Sequence, residues 1–131
     1  MITKKGIDVS EHQGFINWEK VKSEIDFAFI RITYGKKGID KFGKRNIEEC
    51  IKYNIPFGVY VYSYALNLSD AIAEATYFLN QIEPYKNYIS LPLVIDMEDA
   101  DHYKQNNGYP SNEMLCEICK VECDMFENMG Y

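Results

Sequence analysis

The sequence predicts an α/β protein built on a parallel sheet, and three observations carry that reading. Strand-like apolar runs alternate with helix-like runs four times along the chain. Strands separated by helices pair in parallel through right-handed crossovers. The chain has 131 residues, of which 47% are hydrophobic, enough for one domain with a packed core. No glycine-rich phosphate loop follows the first strand, since "SEHQG" is not G-x-G-x-x-G. An open doubly wound sheet and part of a (β/α)8 barrel both satisfy this pattern.

The elements follow in order. "GIDVS" (6–10) is a short strand, and "NWEKVKSEI" (17–25) reads as a helix with Asn17 as its N-cap. "FAFIRIT" (27–33) is a strand and "DKFGKRNIEECIKYN" (40–54) a helix. "PFGVYVYSYA" (56–65) is a strand entered through Pro56, where proline is tolerated. "SDAIAEATYFLNQI" (69–82) is an amphipathic helix with Ser69 as N-cap, and "LPLVIDME" (91–98) is the fourth strand. A last helix spans 111–129, with Gly130 placed to end it. Its three cysteines, Cys116, Cys119 and Cys123, fall with Leu115 and Phe126 at i, i+3/i+4 spacing, which predicts that they pack in the core as small hydrophobes.

Composition narrows the function. The net charge of −6 argues against nucleic acid. No apolar run reaches the ~20 residues a membrane span needs, and the N-terminus lacks an apolar signal region. Eleven tyrosines against one tryptophan supply rings that pair a stacking face with a hydroxyl, which suits sugars.

The chemistry concentrates in "LPLVIDMED", where an apolar strand ends in Asp96, Glu98 and Asp99. Side chains at i and i+2 share a strand face, so Asp96 and Glu98 point the same way, at the end of the strand where parallel α/β folds place their active sites. Asp8 sits near the corresponding end of the first strand. Three acids thus converge on one rim. Paired carboxyls serve glycoside hydrolysis, one as proton donor and the other as base, nucleophile or charge stabiliser. D-x-E on a strand also begins some exonuclease sites that hold two metal ions, but those need the motif near the start of their domain and more acids well downstream. Asp99, Asp101 and His102 have no further support as a metal cluster. No metal and no cofactor is expected.

The pattern D-V-S-x-x-Q-G-x-I-x-W in "GIDVSEHQGFINWEKVK", followed by "FAFIRITYG", "IPFGVYVYSYA" and "LPLVIDMED", resembles the glycoside hydrolase family 25 lysozymes over essentially residues 6–131. The resemblance implies a parallel (β/α) barrel of the TIM type, here about its first four β/α units, a half barrel. It implies that residues 1–131 are the N-terminal portion of a single glycosidase catalytic domain. It implies cleavage of the β-1,4 bond between N-acetylmuramic acid and N-acetylglucosamine in peptidoglycan, by an enzyme secreted or released by a phage and acting on the cell wall. By the same resemblance Glu98 matches the general acid, Asp96 the acid that orients the acetamido group or stabilises positive charge, and Asp8 the acid of the site floor.

Neighbouring residues extend this. Arg31 lies in an otherwise apolar strand, and a buried arginine needs partners, so it is expected to pair with Asp8 or Asp96 and keep that aspartate ionised. Glu98 is then expected to resist ionising. Tyr60, Tyr62 and Tyr64 share one face of the third strand, with Tyr62, Tyr64 and Arg31 the expected substrate contacts. His12, just after the first strand, reads as a solvated loop residue. With four strands only, the first and fourth are edges, which predicts self-association or a longer native chain, and low activity for this polypeptide alone. The alternative is a non-catalytic fragment that binds glycan or self-assembles.

Overall fold

A computed structural model describes all 131 residues. The strands β1 (Gly6–Val9), β2 (Phe27–Tyr34), β4 (Phe57–Tyr62) and β5 (Val94–Asp96) form a parallel sheet in that spatial order. A two-residue strand, β3 (Gly38–Ile39), pairs antiparallel with the end of β2. The helices are α1 (Trp18–Val21), α2 (Gly43–Lys52), α3 (Leu68–Ile82), α4 (Tyr103–Asn106) and α5 (Asn112–Asn128). None is long and apolar enough to cross a membrane.

Period-two alternation divides the sheet into two faces. Val9, Ala28, Ile30, Val59 and Val61 are buried on the side that the helices cover, where they join Phe57, Ile47, Phe78 and Ile82 in the main core. Trp18 is fully buried there, and its indole N–H donates to Asn46 Oδ1 at 3.0 Å, which ties α1 to α2. The alternate residues Asp8, Phe29, Arg31, Tyr60, Tyr62 and Asp96 line open space on the other face. In a flat sheet β1 and β5 would lie three strand spacings apart, about 14 Å. Asp8 and Asp96 nevertheless line one cavity and feel each other's charge, so the sheet curls, concave toward that side.

The register of β2 against β4 shifts between Arg31 and Thr33, a bulge at Ile32. Gly43, the first residue of α2, sits directly on it: a Cβ there would approach Arg31 O to 2.7 Å. The bulge and the short β3 hairpin deliver Asp40 beneath the sheet end, and both were invisible in the hydrophobic pattern because they are too short to show periodicity.

Several boundaries differ from expectation for local reasons. The first helix keeps its Asn17 cap, which accepts from Lys20 N, but has only four residues. The third helix is capped by Asn67, not Ser69; Asn67 Oδ1 accepts from Asp70 N at 2.8 Å. The fourth strand pairs only over Val94–Asp96, because β4 ends at Tyr62, the partner of Asp96. The cysteine stripe on α5 is corrected. Ile118, Glu122 and Phe126 are the buried residues, while Cys116 and Cys123 are exposed and Cys119 is half-buried. Reading the cysteines as small hydrophobes drew the inward face to one side of its true position. Among the four free cysteines only Cys50 is buried.

Candidate active site

An open cleft of about 490 Å³ lies at the C-terminal ends of the parallel strands. Asp8 comes from β1, Tyr60 and Tyr62 from β4, Asp96 from β5, and Glu98 and Asp101 from the loop after it. A second hollow of about 470 Å³ continues it along β5 toward Val94 and shares Asp8, Tyr60, Asp96 and Glu98. Asp8 and Glu98 are exposed and Asp96 is half-buried.

The carboxyls interact. Asp96 is pushed up to about 6, first by partial burial, then by the negative charge of Glu98, a hydrogen bond shared with Glu98, and the charge of Asp8. Carboxyls that interact this strongly titrate as a pair. The upward shift falls on Asp96, the half-buried member.

The reason is the position of Arg31, whose expected pairing with Asp8 or Asp96 is corrected. Its Nε donates to Asp40 Oδ2 at 2.8 Å and its Nη2 to Glu11 Oε1 at 3.0 Å. The guanidinium also stacks 5.0 Å from the Tyr34 ring centroid. Asp40 is locked by backbone N–H groups of Glu11 (2.9 Å) and Phe42 (3.0 Å). Arg31 thus lines the cleft with its charge already matched by two other carboxylates. Asp40 and Glu11 arrive from the β3 hairpin and from a 3-10 turn (Glu11–Gln13), neither of which the periodicity revealed.

The tyrosines form a wall. Tyr62 and Tyr64 pack with ring centroids 5.1 Å apart, and Tyr103 meets Tyr64 edge-on at 4.8 Å. Tyr64 donates to Asp101 Oδ2 at 2.5 Å, which holds the Asp101 carboxyl below its usual range. The Tyr60 hydroxyl donates to Val9 O at 3.3 Å, and burial pushes its pKa up to about 12, so it stays a donor. His12 lies exposed on the rim. Asp101, weighed in the sequence only with Asp99 and His102 as a metal cluster, lines the cleft instead.

Behind the cleft lies a charged layer that the sequence did not predict. Lys104, Glu74 and Glu122 are all essentially buried. Glu74 is raised by burial, partly offset by hydrogen bonds from the Ser63 hydroxyl and the Tyr64 N–H, both at 2.7 Å. Neither oxygen of Glu122 meets a protein donor, and burial beside Glu74 pushes it up to about 9, so it is a neutral acid at pH 7. Its unfolded-state value is near 4.5. The native state therefore holds an extra proton between those limits, and stability falls as pH rises through the window. Glu122→Gln is expected to flatten that fall, measured as the denaturant midpoint from pH 5 to pH 9; an unchanged slope would show that Glu122 ionises normally.

Curled parallel strands, an outer helical layer and an acidic cleft at the strand C-termini define a barrel-type α/β protein with a carboxylate-pair site. The comparisons make this specific: the chain belongs to the glycosyl hydrolases family 25, which it matches over residues 7–122. Lysozyme M1 of Streptomyces globisporus is 35% identical over 96 residues, covering 72% of this chain and 32% of that protein. This chain thus spans about a third of that relative's length. The modular autolysin LytC of Streptococcus pneumoniae, solved with a synthetic peptidoglycan ligand, superposes with a TM-score of 0.85 at 34% identity, over 98% of this chain and 30% of that one. A family 25 glycosyl hydrolase of Bacillus anthracis gives 0.83 at 30% identity, over 97% of this chain and 56% of its own.

Proposed function

We propose that the Asp96–Glu98 pair cleaves the β-1,4 bond between N-acetylmuramic acid and N-acetylglucosamine in peptidoglycan glycan strands. The observation that supports this most is the placement of the acids: Asp96, Glu98 and Asp8 line one open cleft at the C-terminal ends of the parallel strands. Glu98 is the exposed member, so it reaches the leaving-group oxygen and protonates it. Asp96, half-buried, lies beside Glu98 in the same cleft. It stabilises the positive charge that develops on the sugar, or orients the acetamido group. Asp8 adds negative charge from the opposite rim. Tyr62 and Tyr64 stack against the sugar, and Arg31 closes the floor beneath them.

The cleft is open along β5, where Val94 is exposed, and Asp8 and Glu98 both meet water. Charges in a wet site act through a high dielectric and stabilise a transition state less. Low activity and association with a second copy through the exposed sheet edges fit that openness. The action is on the cell wall, outside the producing cell or at its release.

The experiment is turbidity loss of purified cell walls as a function of pH. Hydrolysis is expected to fall as pH rises through about 6, where the pair loses its proton. Activity that rises through the same window would assign the pair a base role only and remove the acid step. Light scattering on the same samples reads the association.

A further inference from the structure

We infer that Lys104 is a positioning residue for the Asp96–Glu98 pair: its buried ammonium replaces the missing strand ladder beyond Asp96 and holds the backbone of Glu98 in place. The inference rests on the proposed role of that pair, but its test is independent of hydrolysis.

The geometry begins at the last rung of the sheet. Ser63, just past β4, donates its N–H to Asp96 O at 3.0 Å. Beyond this point β5 has no ladder, yet Glu98 must be held two residues further on. Lys104 Nζ takes over, donating to Ser63 O at 2.6 Å and to Glu98 O at 2.8 Å. Two carbonyls that would repel each other across the strand gap are bridged by one cation. The backbone of Glu98 is thereby fixed although its carboxyl is exposed.

The loop is built to return the lysine to this place. The Asp99 carboxylate accepts from Lys104 N at 2.7 Å and from Gln105 N at 3.0 Å, closing residues 99–105 into a compact turn. His102 takes a left-handed backbone, φ 60°, within it. The Lys104 side chain then runs inward and is 2% exposed. Burying an ammonium costs several kcal/mol unless it is paired. Its direct partners are the two carbonyls; Glu74 on α3, which grips Ser63 and Tyr64, acts on it through space without a direct ion pair. Glu122 on α5 is pushed up to about 9 by burial and by Glu74, so it adds no negative charge beside Lys104 at pH 7. Cys119 on α5 also faces Lys104, as do the rings of Tyr62 and Tyr64, each 6.0 Å from Nζ.

Around the pair the charged and titratable groups are Asp8 from β1, His12 from the 3-10 turn, Arg31 from β2, Tyr60 and Tyr62 from β4, Tyr64 and Asp101 from the loops, and Lys104 from α4. Lys104 is the cation that favours ionisation of Asp96. Arg31 does not substitute for it, because its charge is matched by Asp40 and Glu11.

The test is a carboxyl-detected NMR titration of Asp96 and Glu98 in the full chain and in Lys104→Met. The variant is expected to raise the apparent value of the pair by on the order of half a unit to one unit. The Glu98 carbonyl resonance is expected to move as it loses its donor. Because Lys104→Met alters the charge balance beside Glu74, the double variant Lys104→Met/Glu74→Gln is titrated as well; it changes both sites together and is expected to show the same two changes. If the folded double variant titrates as the unaltered chain does, with the Glu98 carbonyl unmoved, the inference is overturned. Should the shifts appear while the unaltered chain leaves cell walls intact, Lys104 positions the pair as inferred and it is the hydrolytic reading that fails.

Discussion

Glu98→Gln is expected to reduce muropeptide release from purified cell walls by on the order of 10²–10⁴-fold, the usual contribution of a positioned general acid. Glutamine preserves the shape of the side chain and its capacity to hydrogen-bond, but has no proton to give to the leaving oxygen. Glu98 is exposed, and the backbone contact that fixes it, from Lys104 to its carbonyl, does not involve the carboxyl. The variant should therefore unfold at the same denaturant concentration as the unaltered chain. The substitution also removes the charge that helps raise Asp96, so the Asp96 carboxyl is expected to titrate lower. Undiminished release by a folded Glu98→Gln chain would end the general-acid assignment.

Arg31→Met is expected to cost stability, at the lower end of the 3–5 kcal/mol typical of breaking a buried ion pair, about 3 kcal/mol. The Asp40 side chain is fully buried, and without the guanidinium its charge loses its main compensation. The backbone donors of Glu11 and Phe42 remain and soften the loss. Glu11, already partly in water, is released at little cost. The reading is the urea midpoint, with the slope of the transition unchanged. A midpoint that does not move, together with weakened glycan binding, would make Arg31 a free substrate ligand and contradict its pairing with Asp40.

The parts of this molecule that were legible in its sequence are those with period. Val59 and Val61 against Tyr60 and Tyr62 announced the two faces of β4, and the apolar run ending in Asp96 announced both the strand and the acids at its end. The family resemblance, carried by the first-strand pattern and the three strands after it, added the barrel type. What stayed hidden were contacts made by elements too short for periodicity. Asp40 enters through a two-residue strand, Glu11 through a single 3-10 turn, and Lys104 through a four-residue helix. Those three settle which carboxylate Arg31 neutralises and which cation faces the acid pair. Glu122 was hidden differently. A charged residue at a core position of α5 reads as solvent-facing until its neighbours Lys104 and Glu74 are known. Ile118, Glu122 and Phe126, spaced by four, carried the correct face for anyone willing to bury a glutamate.

The central claim is that the acid pair cuts glycan strands on one particular side of each N-acetylmuramic acid. Mass spectrometry of the products after extended digestion of purified peptidoglycan, with borohydride reduction marking new ends, reads this directly. The account predicts fragments ending in reduced N-acetylmuramic acid, formed slowly by this chain and not by Glu98→Gln. Fragments ending in reduced N-acetylglucosamine, cut peptide stems, or no fragments at all from a folded chain would contradict it.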